Sequence, residues 1–600
     1  MYACISPSMI HTAVSSLTFG ATSTNSGTVF RVWAPNANIV QVRLERGELL
    51  NMPEESPGIF STTAQVGPGE RYFYTLDQGR PVPDPVSRYL PDGVHGPTEI
   101  VDPYTFQWTD ANWKGLSRDE YIIYELHTGT FSPAGTFDGI IERLDYLKRL
   151  GITVIEVMPV AATPGTRNWG YDGVSIYAVQ ANYGGPERLK RLVDAAHHAG
   201  LAVMLDVVYN HLGPEGNYLS MFGPYFSDRH CTPWGDGLNF DGPDSEPVRR
   251  YFIDNALYWT REYHLDGLRL DAIQNIKDDS PRHIVAEINA EVQAFARELQ
   301  RNVFVIAETD TNDPVIVRPA SKSGVPHPSE KEGAQNDGWG LCALWSDDFH
   351  HAVHTVLTGE NKGYYQDFGA REQIVKALNE GFVYQGEHFK FWNEPRGAKP
   401  EGVPLPAHVI CIQNHDQIGN RALGERLNHL VPKGAFKLAS ALLLLAPQTP
   451  LLYMGQEYGE QAPFQFFTDF EDPALREAVS KGRRNEFADF NWTEVPDPED
   501  AHTFERSKLN WRLAIDSNDV LQWYRQLLEL RHRVVMKNDR TCRAELRDGN
   551  IVMQVPAADP RITVVATFPD SKRISLPESD WRLLANSDED DYAVRIYGRS

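Results

Sequence analysis

Apolar and polar residues alternate with period two along much of residues 1–110. The runs Val29-Phe30-Arg31-Val32-Trp33, Val40-Gln41-Val42-Arg43-Leu44 and Arg71-Tyr72-Phe73-Tyr74-Thr75-Leu76 show it best, and Gly, Pro and Asn punctuate them. That period belongs to strands with one buried face. Residues 1–110 are therefore predicted to form a β-sandwich, left through a Pro- and Asp-rich connector from Arg80 to Pro103.

From residue 111 the texture changes. Short apolar runs alternate with segments whose apolar residues recur at the 3.6 period, which argues for parallel βα units. The predicted strands are Tyr121–Leu126, Thr153–Met158, Ala202–Val208, Gly267–Leu270, Val303–Ala307, Ala343–Ser346, His408–Ile412 and Pro450–Met454. Eight is the closing number of a (β/α)8 barrel. Helices are predicted between them, among others over Gly139–Leu150, Gly185–Ala199 and Pro247–Tyr263. Long insertions follow the third strand (Leu212 to Asp244, carrying Trp234) and the fifth (Asp313 to Gly340); loops of this length after barrel strands usually shape substrate sites, and the second also has an ordinary reading as surface decoration. A polar excursion, Gln461 to Arg506, follows the eighth strand, and a helix over Asp519–Val534 finishes the barrel. Strand-like texture returns in Ile551-Val552-Met553-Gln554-Val555 and Ile562-Thr563-Val564-Val565-Ala566-Thr567. The fold class is multidomain: a central (β/α)8 TIM barrel over 111–535, an N-terminal β-sandwich over 1–110 and a small C-terminal β-domain over 536–600.

Charge narrows the partners. A net charge of −24 over 600 residues repels phosphate backbones and anionic lipid, so nucleic acid and membrane are poor partners, and a neutral sugar is compatible. The aromatic content (Trp 13, Tyr 25, Phe 27) suits such a ligand, because a pyranose presents an apolar C–H face. Cys4, Cys231, Cys342, Cys411 and Cys542 are odd in number and scattered, without zinc spacing. They are expected to be reduced, in a cytoplasmic protein without a secretory leader or membrane span.

Three predicted strands end in a carboxylate: Gly267-Leu268-Arg269-Leu270-Asp271, Val303-Phe304-Val305-Ile306-Ala307-Glu308 and Val409-Ile410-Cys411-Ile412-Gln413-Asn414-His415-Asp416. In a parallel barrel such side chains converge on one rim. Two carboxyl groups, one protonated and one ionised, are what glycosidic cleavage requires. Arg269 shares a strand face with Asp271 and would keep it ionised and oriented, as a nucleophile needs. Glu308 follows an apolar strand without a basic neighbour in sequence, so burial is expected to raise its pKa, as an acid needs. Asp416, beside His415, is placed to support developing positive charge. Each carboxylate also has an ordinary reading as a loop or cap residue. Asp206, Asn210 and His211 follow the third strand, and Tyr171 the second. The histidines of Asp347-Asp348-Phe349-His350-His351-Ala352-Val353-His354 lack the order of a zinc hydrolase, and the segment reads as sugar contacts or a capped helix start. No metal or cofactor is expected.

With those residues in place, Asp206–His211, Gly267–Asp271, Glu308 and Asn414-His415-Asp416 resemble the four motif regions of the α-amylase family of glycoside hydrolases. The resemblance implies Asp271 as nucleophile, Glu308 as general acid/base and Asp416 as transition-state stabiliser. It implies substrate contacts from Tyr171, Asp206, His211, Arg269 and His415. Segments such as Trp345-Ser346-Asp347-Asp348-Phe349-His350-His351, Gly363-Tyr364-Tyr365-Gln366-Asp367 and Gln413-Asn414-His415-Asp416-Gln417-Ile418-Gly419-Asn420-Arg421 are similar to one branch of it. That branch cleaves the α-1,4 bond between a malto-oligosaccharide and a terminal trehalose. Maltooligosyl trehalose and related α-glucans are thus the implied substrates, and Asp348, Gln417 and Arg421 are added as contacts. Trp234, Tyr364, Phe391, Trp392 and Arg396 are expected to build the leaving-group side. An α-glucan branching or debranching enzyme shares the chemistry and is the alternative. A retaining outcome is expected if the Asp271 and Glu308 carboxyl groups lie about 5–5.5 Å apart. The chain is expected to be a monomer or small homo-oligomer.

Overall fold

The computed structural model describes residues 17–320, 338–486, 495–574, 576 and 581–599. Cys4, residues 321–337 of the second long insertion and part of the excursion after the eighth strand lie outside the described residues.

All eight predicted strands form one closed parallel barrel. They are β1 (Ile123–Leu126), β2 (Val154–Val157), β3 (Ala202–Val207), β4 (Gly267–Leu270), β5 (Phe304–Ala307), β6 (Ala343–Trp345), β7 (His408–Ile410) and β8 (Thr449–Tyr453). Each pairs with the next, and β8 closes on β1 through Leu452 opposite Tyr124. Residues two apart on a strand share a face. On the inner face, Ile123, Val154, Met204, Ile306, Ala343 and Val409 pack as one apolar cluster. Two residues further along, toward the C-terminal rim, the same faces carry Glu125, Glu156, Asp206 and Glu308. The barrel is thus oily below and charged above, and this is what brings the acids together.

The helix expected over Gly139–Leu150 is two pieces, Phe137–Ile141 and Leu144–Leu150. Ile140, Leu144 and Leu147 are buried on both sides of the break, so the apolar period runs through it unbroken and does not reveal it. Gly185–Ala199 is helical as expected, and Pro247–Tyr263 is observed as Ser245–Glu262.

The N-terminal sandwich consists of two four-stranded antiparallel sheets, pairing Gly27–Trp33 with Ile59–Ala64 and Val40–Leu44 with Arg71–Leu76. Phe30 and Tyr72 meet edge to face between them, centroids 4.8 Å apart. A buried Arg88–Glu262 ion pair at 2.6 Å ties this unit to the helix before β4. The C-terminal strands make one five-stranded antiparallel sheet, held to the barrel by Lys437–Glu589 at 2.6 Å. The insertion after β3 folds as a hairpin, Phe226–Thr232 with Gly235–Leu238, and presents Trp234 at its tip. Among the described residues no helix is long and apolar enough to cross a membrane.

Candidate active site

Arg269 organises the rim. It is fully buried on β4, and its Nη1 donates to both oxygens of Asp206 (2.9 and 2.8 Å) and to Asp271 Oδ1 (2.7 Å). Its Nη2 lies 3.5 Å from Glu308 Oε2, and its guanidinium covers the Trp345 ring at 4.5 Å. One planar cation therefore touches carboxylates from β3, the end of β4 and the end of β5. Arginine's fork suits this, whereas a lysine offers a single point charge.

Asp271 receives a second donor, Asn210 Nδ2, at 2.8 Å. The next residue, Ala272, takes the left-handed conformation (φ 39°). That conformation is costly for a residue with a Cβ and is found where a site stores backbone strain. The Ala272 N–H donates to Glu308 Oε2. Burial raises Glu308 well above the ordinary carboxylate range. Arg269 opposes the rise, while Asp271, Asp416 and Asp347 add to it. The basic neighbour absent from the local sequence is thus supplied in space by β4. The Asp416 side chain is 39% exposed, its Oδ2 3.4 Å from His415 Nε2, and lies in the first turn of the short helix His415–Gly419 capped by Asn414.

These three acids share the wall of one cavity of about 460 Å³. Tyr171, His211, Trp234, Tyr364, Phe391, Trp392, Arg396 and Gln417 line it with them. Trp234 stacks on His211 (4.5 Å between centroids) and remains half exposed. Tyr364 stacks on His351 at 4.7 Å. The Arg396 guanidinium lies over Phe389 at 4.7 Å.

Other expected contacts stand behind this wall. Asp206 and Arg269 are enclosed under Tyr171, whose hydroxyl donates to Asp206 Oδ2 at 2.6 Å. Burial pushes Asp206 up to about 6, although Arg269 holds it down. His415 is 1% exposed, with the Tyr171 ring stacked on it at 5.1 Å. Asp348 is fully buried. It pairs with Arg396 at 2.8 Å and accepts the Val383 and Tyr384 N–H groups, so it anchors the Arg396 loop. Its neighbour Asp347 faces the cavity instead, and burial pushes it up to about 7 against the pull of Arg396. Arg421 forks onto Glu360 (2.8 and 2.9 Å) and faces an adjoining hollow. In this structure none of these five, Asp206, Arg269, His415, Asp348 and Arg421, lines the cavity, and each is committed to a neighbouring protein group.

Sequence reasoning missed Gln274, Asp310, Phe389 and Phe466, which also line the cavity. It missed Glu125 and Glu156 beneath it as well, although a charge inside an apolar strand was a visible signal. His350 and His351 face each other (Nδ1 to Nδ1, 3.0 Å) and His354 bonds Glu360 at 2.8 Å. Among the described residues, His230, Asp241 and Asp279 have metal-ligand spacing. They lie off this cavity, and Arg229 approaches both aspartates (3.5 and 3.3 Å).

Comparison with known proteins follows the same lines. The family described as Alpha amylase, catalytic domain, matches residues 101–224, and Carbohydrate-binding module 48 (Isoamylase N-terminal domain) matches residues 18–105. A malto-oligosyltrehalose trehalohydrolase of Saccharolobus solfataricus is 44% identical over 540 residues, covering 90% of this chain and 91% of its own. The chain belongs to the malto-oligosyltrehalose trehalohydrolase family. A second member, from Deinococcus radiodurans, is 43% identical over 563 residues, 92% of this chain and 89% of its own. The crystal structure of a putative alpha amylase from Salmonella typhimurium superposes with a TM-score of 0.86 at 39% identity, covering 98% of this chain and all of that one. Family membership carries the glycoside hydrolase class and the three-part architecture.

Proposed function

We propose that the protein hydrolyses the α-1,4 bond between a malto-oligosaccharide and its terminal trehalose, releasing trehalose by double displacement. The observation that carries the chemistry is the single Arg269 guanidinium in contact with Asp271 and Glu308, with Asp416 on the same cavity wall. In the first step an Asp271 oxygen attacks the anomeric carbon. The glycosidic C–O bond breaks, and its electron pair stays on the trehalose oxygen, which takes the Glu308 proton. In the second step water attacks the same carbon and gives a proton back to Glu308, and the bond to Asp271 breaks. Burial keeps Glu308 protonated for the first step, and Asp416 faces the positive charge that develops in both.

The leaving-group side is built by Trp234, Tyr364, Phe391, Trp392 and Arg396. Flat rings suit the C–H faces of trehalose, and polar groups left unpaired by a wrong end can discriminate by ~10⁴ or more. Asp206, Arg269, His415 and Asp348 hold the residues that touch sugar. The test is the product mixture from a maltopentaose capped with trehalose. Free trehalose is expected, and new α-1,6 branches would overturn the reading. Trp234→Ala is expected to shrink the kcat/KM ratio between trehalose-ended and maltose-ended chains, and an unchanged ratio removes Trp234 from the assignment.

A further inference from the structure

Glu125 touches no part of the cavity, yet it is bound to the machinery beneath it at two points. It interrupts the apolar run Tyr121-Ile122-Ile123-Tyr124-Glu125-Leu126 and is 1% exposed. Its carboxylate reaches across to the start of the helix His415–Gly419. One oxygen accepts the His415 backbone N–H at 3.2 Å, and the other is in contact with His415 Nδ1. The main chain and the ring of His415 are therefore both fixed. Its Nε2 then faces the Tyr171 hydroxyl at 2.7 Å and Asp416 Oδ2 at 3.4 Å. From Tyr171 the contacts continue to Asp206 (2.6 Å), from Asp206 to Arg269 (2.8 Å), and from Arg269 to Asp271 (2.7 Å). Charge alternates along this chain, with the Tyr171 hydroxyl as its neutral link.

We propose that Glu125 is a positioning residue: it holds His415 as an imidazolium whose Nε2–H donates, so that Tyr171 donates its only proton to Asp206. The bond made by one imidazole nitrogen decides what the other can do. A neutral His415 with its proton on Nδ1 would present Nε2 as an acceptor. Nε2 and Asp206 would then compete for one hydroxyl proton, since a tyrosine has a single donor.

Charged and titratable groups surround His415 from several elements of the barrel. Glu125 on β1 and Asp416 on its own helix favour the cation, and Arg269 on β4 opposes it. Asp206 on β3 and Glu156 on β2 face it, as does His127 just after β1. Burial, then the charges of Glu125 and Asp206, raise Glu156 well above the ordinary range, and burial lowers His127 to about 4. Neither of these two therefore replaces the Glu125 charge. Burial also works against a charged His415, but Asp416 and Glu125 outweigh it and bring it up to about 9.

The inference rests on the roles proposed above for Asp271 and Asp416. A wild-type enzyme that released no trehalose would defeat those roles, whereas titration of the His415 ring reads Glu125 directly. The variant is Glu125→Gln, equal in shape and without charge. Relative to wild type its kcat/KM is expected to fall at least fivefold further between pH 6 and pH 9, with KM nearly unchanged. Glu125→Asp keeps the charge and is expected to fall less than threefold over the same range. In protein labelled with ¹⁵N-histidine, and assigned against His415→Gln, the wild-type His415 ring is expected to titrate above pH 8. It is expected to titrate at least one pH unit lower in Glu125→Gln. A variant-to-wild-type ratio that is flat with pH, as a purely structural defect would give, overturns the proposal. So does a wild-type His415 midpoint at or below pH 8, a measurement that decides even if Glu125→Gln fails to fold.

Discussion

Replacing Arg269 by lysine isolates the geometry of the site from its charge. Arg269 makes charge-assisted contacts to Asp206 and Asp271 and an ionic contact to Glu308, all from a side chain without solvent exposure. A lysine ammonium is a point charge on a shorter reach and cannot hold three carboxylates from three strands. Hydrogen bonds to charged groups contribute about 1.5–3 kcal/mol each. Losing two leaves about 3–6 kcal/mol to be divided between the fold and the barrier. If half falls on the barrier, kcat/KM drops about 10- to 10²-fold, since about 1.4 kcal/mol is tenfold in rate. The pH profile should move as well. Burial raises Asp206 to about 6 and Arg269 holds it down. Weakening that cation moves Asp206 higher, so activity that requires its carboxylate is lost from a higher pH on the acid side. The assay is trehalose release from a capped oligomer at pH 5–8, beside a thermal melt. Activity within threefold of wild type, with an unmoved acid limb, would refute the claim that the guanidinium fork assembles the site.

Glu308→Gln should retain oligosaccharide binding by calorimetry and lose about 10²–10⁴-fold in kcat, the usual contribution of a general acid; an unchanged rate would remove Glu308 from the mechanism. Gly419→Ala would place a Cβ 2.1 Å from two ring carbons of Trp169, which stacks on Phe464 at 5.1 Å. Overpacking of this kind costs about 1–3 kcal/mol, so a lower denaturation midpoint and reduced activity are expected in urea and kinetic assays. His415 is raised from 6.5 to about 9 in the fold, a difference worth about 3 kcal/mol of stability. That contribution is present in full below pH 6.5 and is lost as the pH rises through about 9. The stability gap between wild type and His415→Gln should therefore narrow between pH 6 and pH 10 when measured by urea unfolding.

The barrel was legible because its strands are short apolar runs set between helical periods, the texture of a parallel sheet covered on both faces, and because they number eight. Five of the eight observed strands end one or two residues before the predicted end, most of all His408–Ile412, which is paired only to Ile410, since apolar character outlasts the hydrogen-bond ladder. The three acids were legible because a carboxylate ending an apolar run has few other places to go. What escaped was pairing over distance. Glu125 and His415 are 290 residues apart, and Arg396 sits on a loop while Asp348 sits in a helix. Asp347 and Asp348 open one helix side by side, and helical rotation turns one to the cavity and the other to Arg396. Nothing in the local pattern distinguishes them. Loop residues such as Gln274 and Phe466 join the wall only through the closure of the barrel.

Attack by Asp271 on the anomeric carbon is the step on which the mechanism turns. A 5-fluoroglucosyl fluoride slows the second displacement and lets a covalent glycosyl-enzyme accumulate, and peptide mass spectrometry locates the bond. The account predicts a single modified peptide with the sugar on Asp271, absent from Asp271→Asn. A sugar attached to Asp416, Asp206 or another residue, or turnover without any covalent adduct, would contradict it.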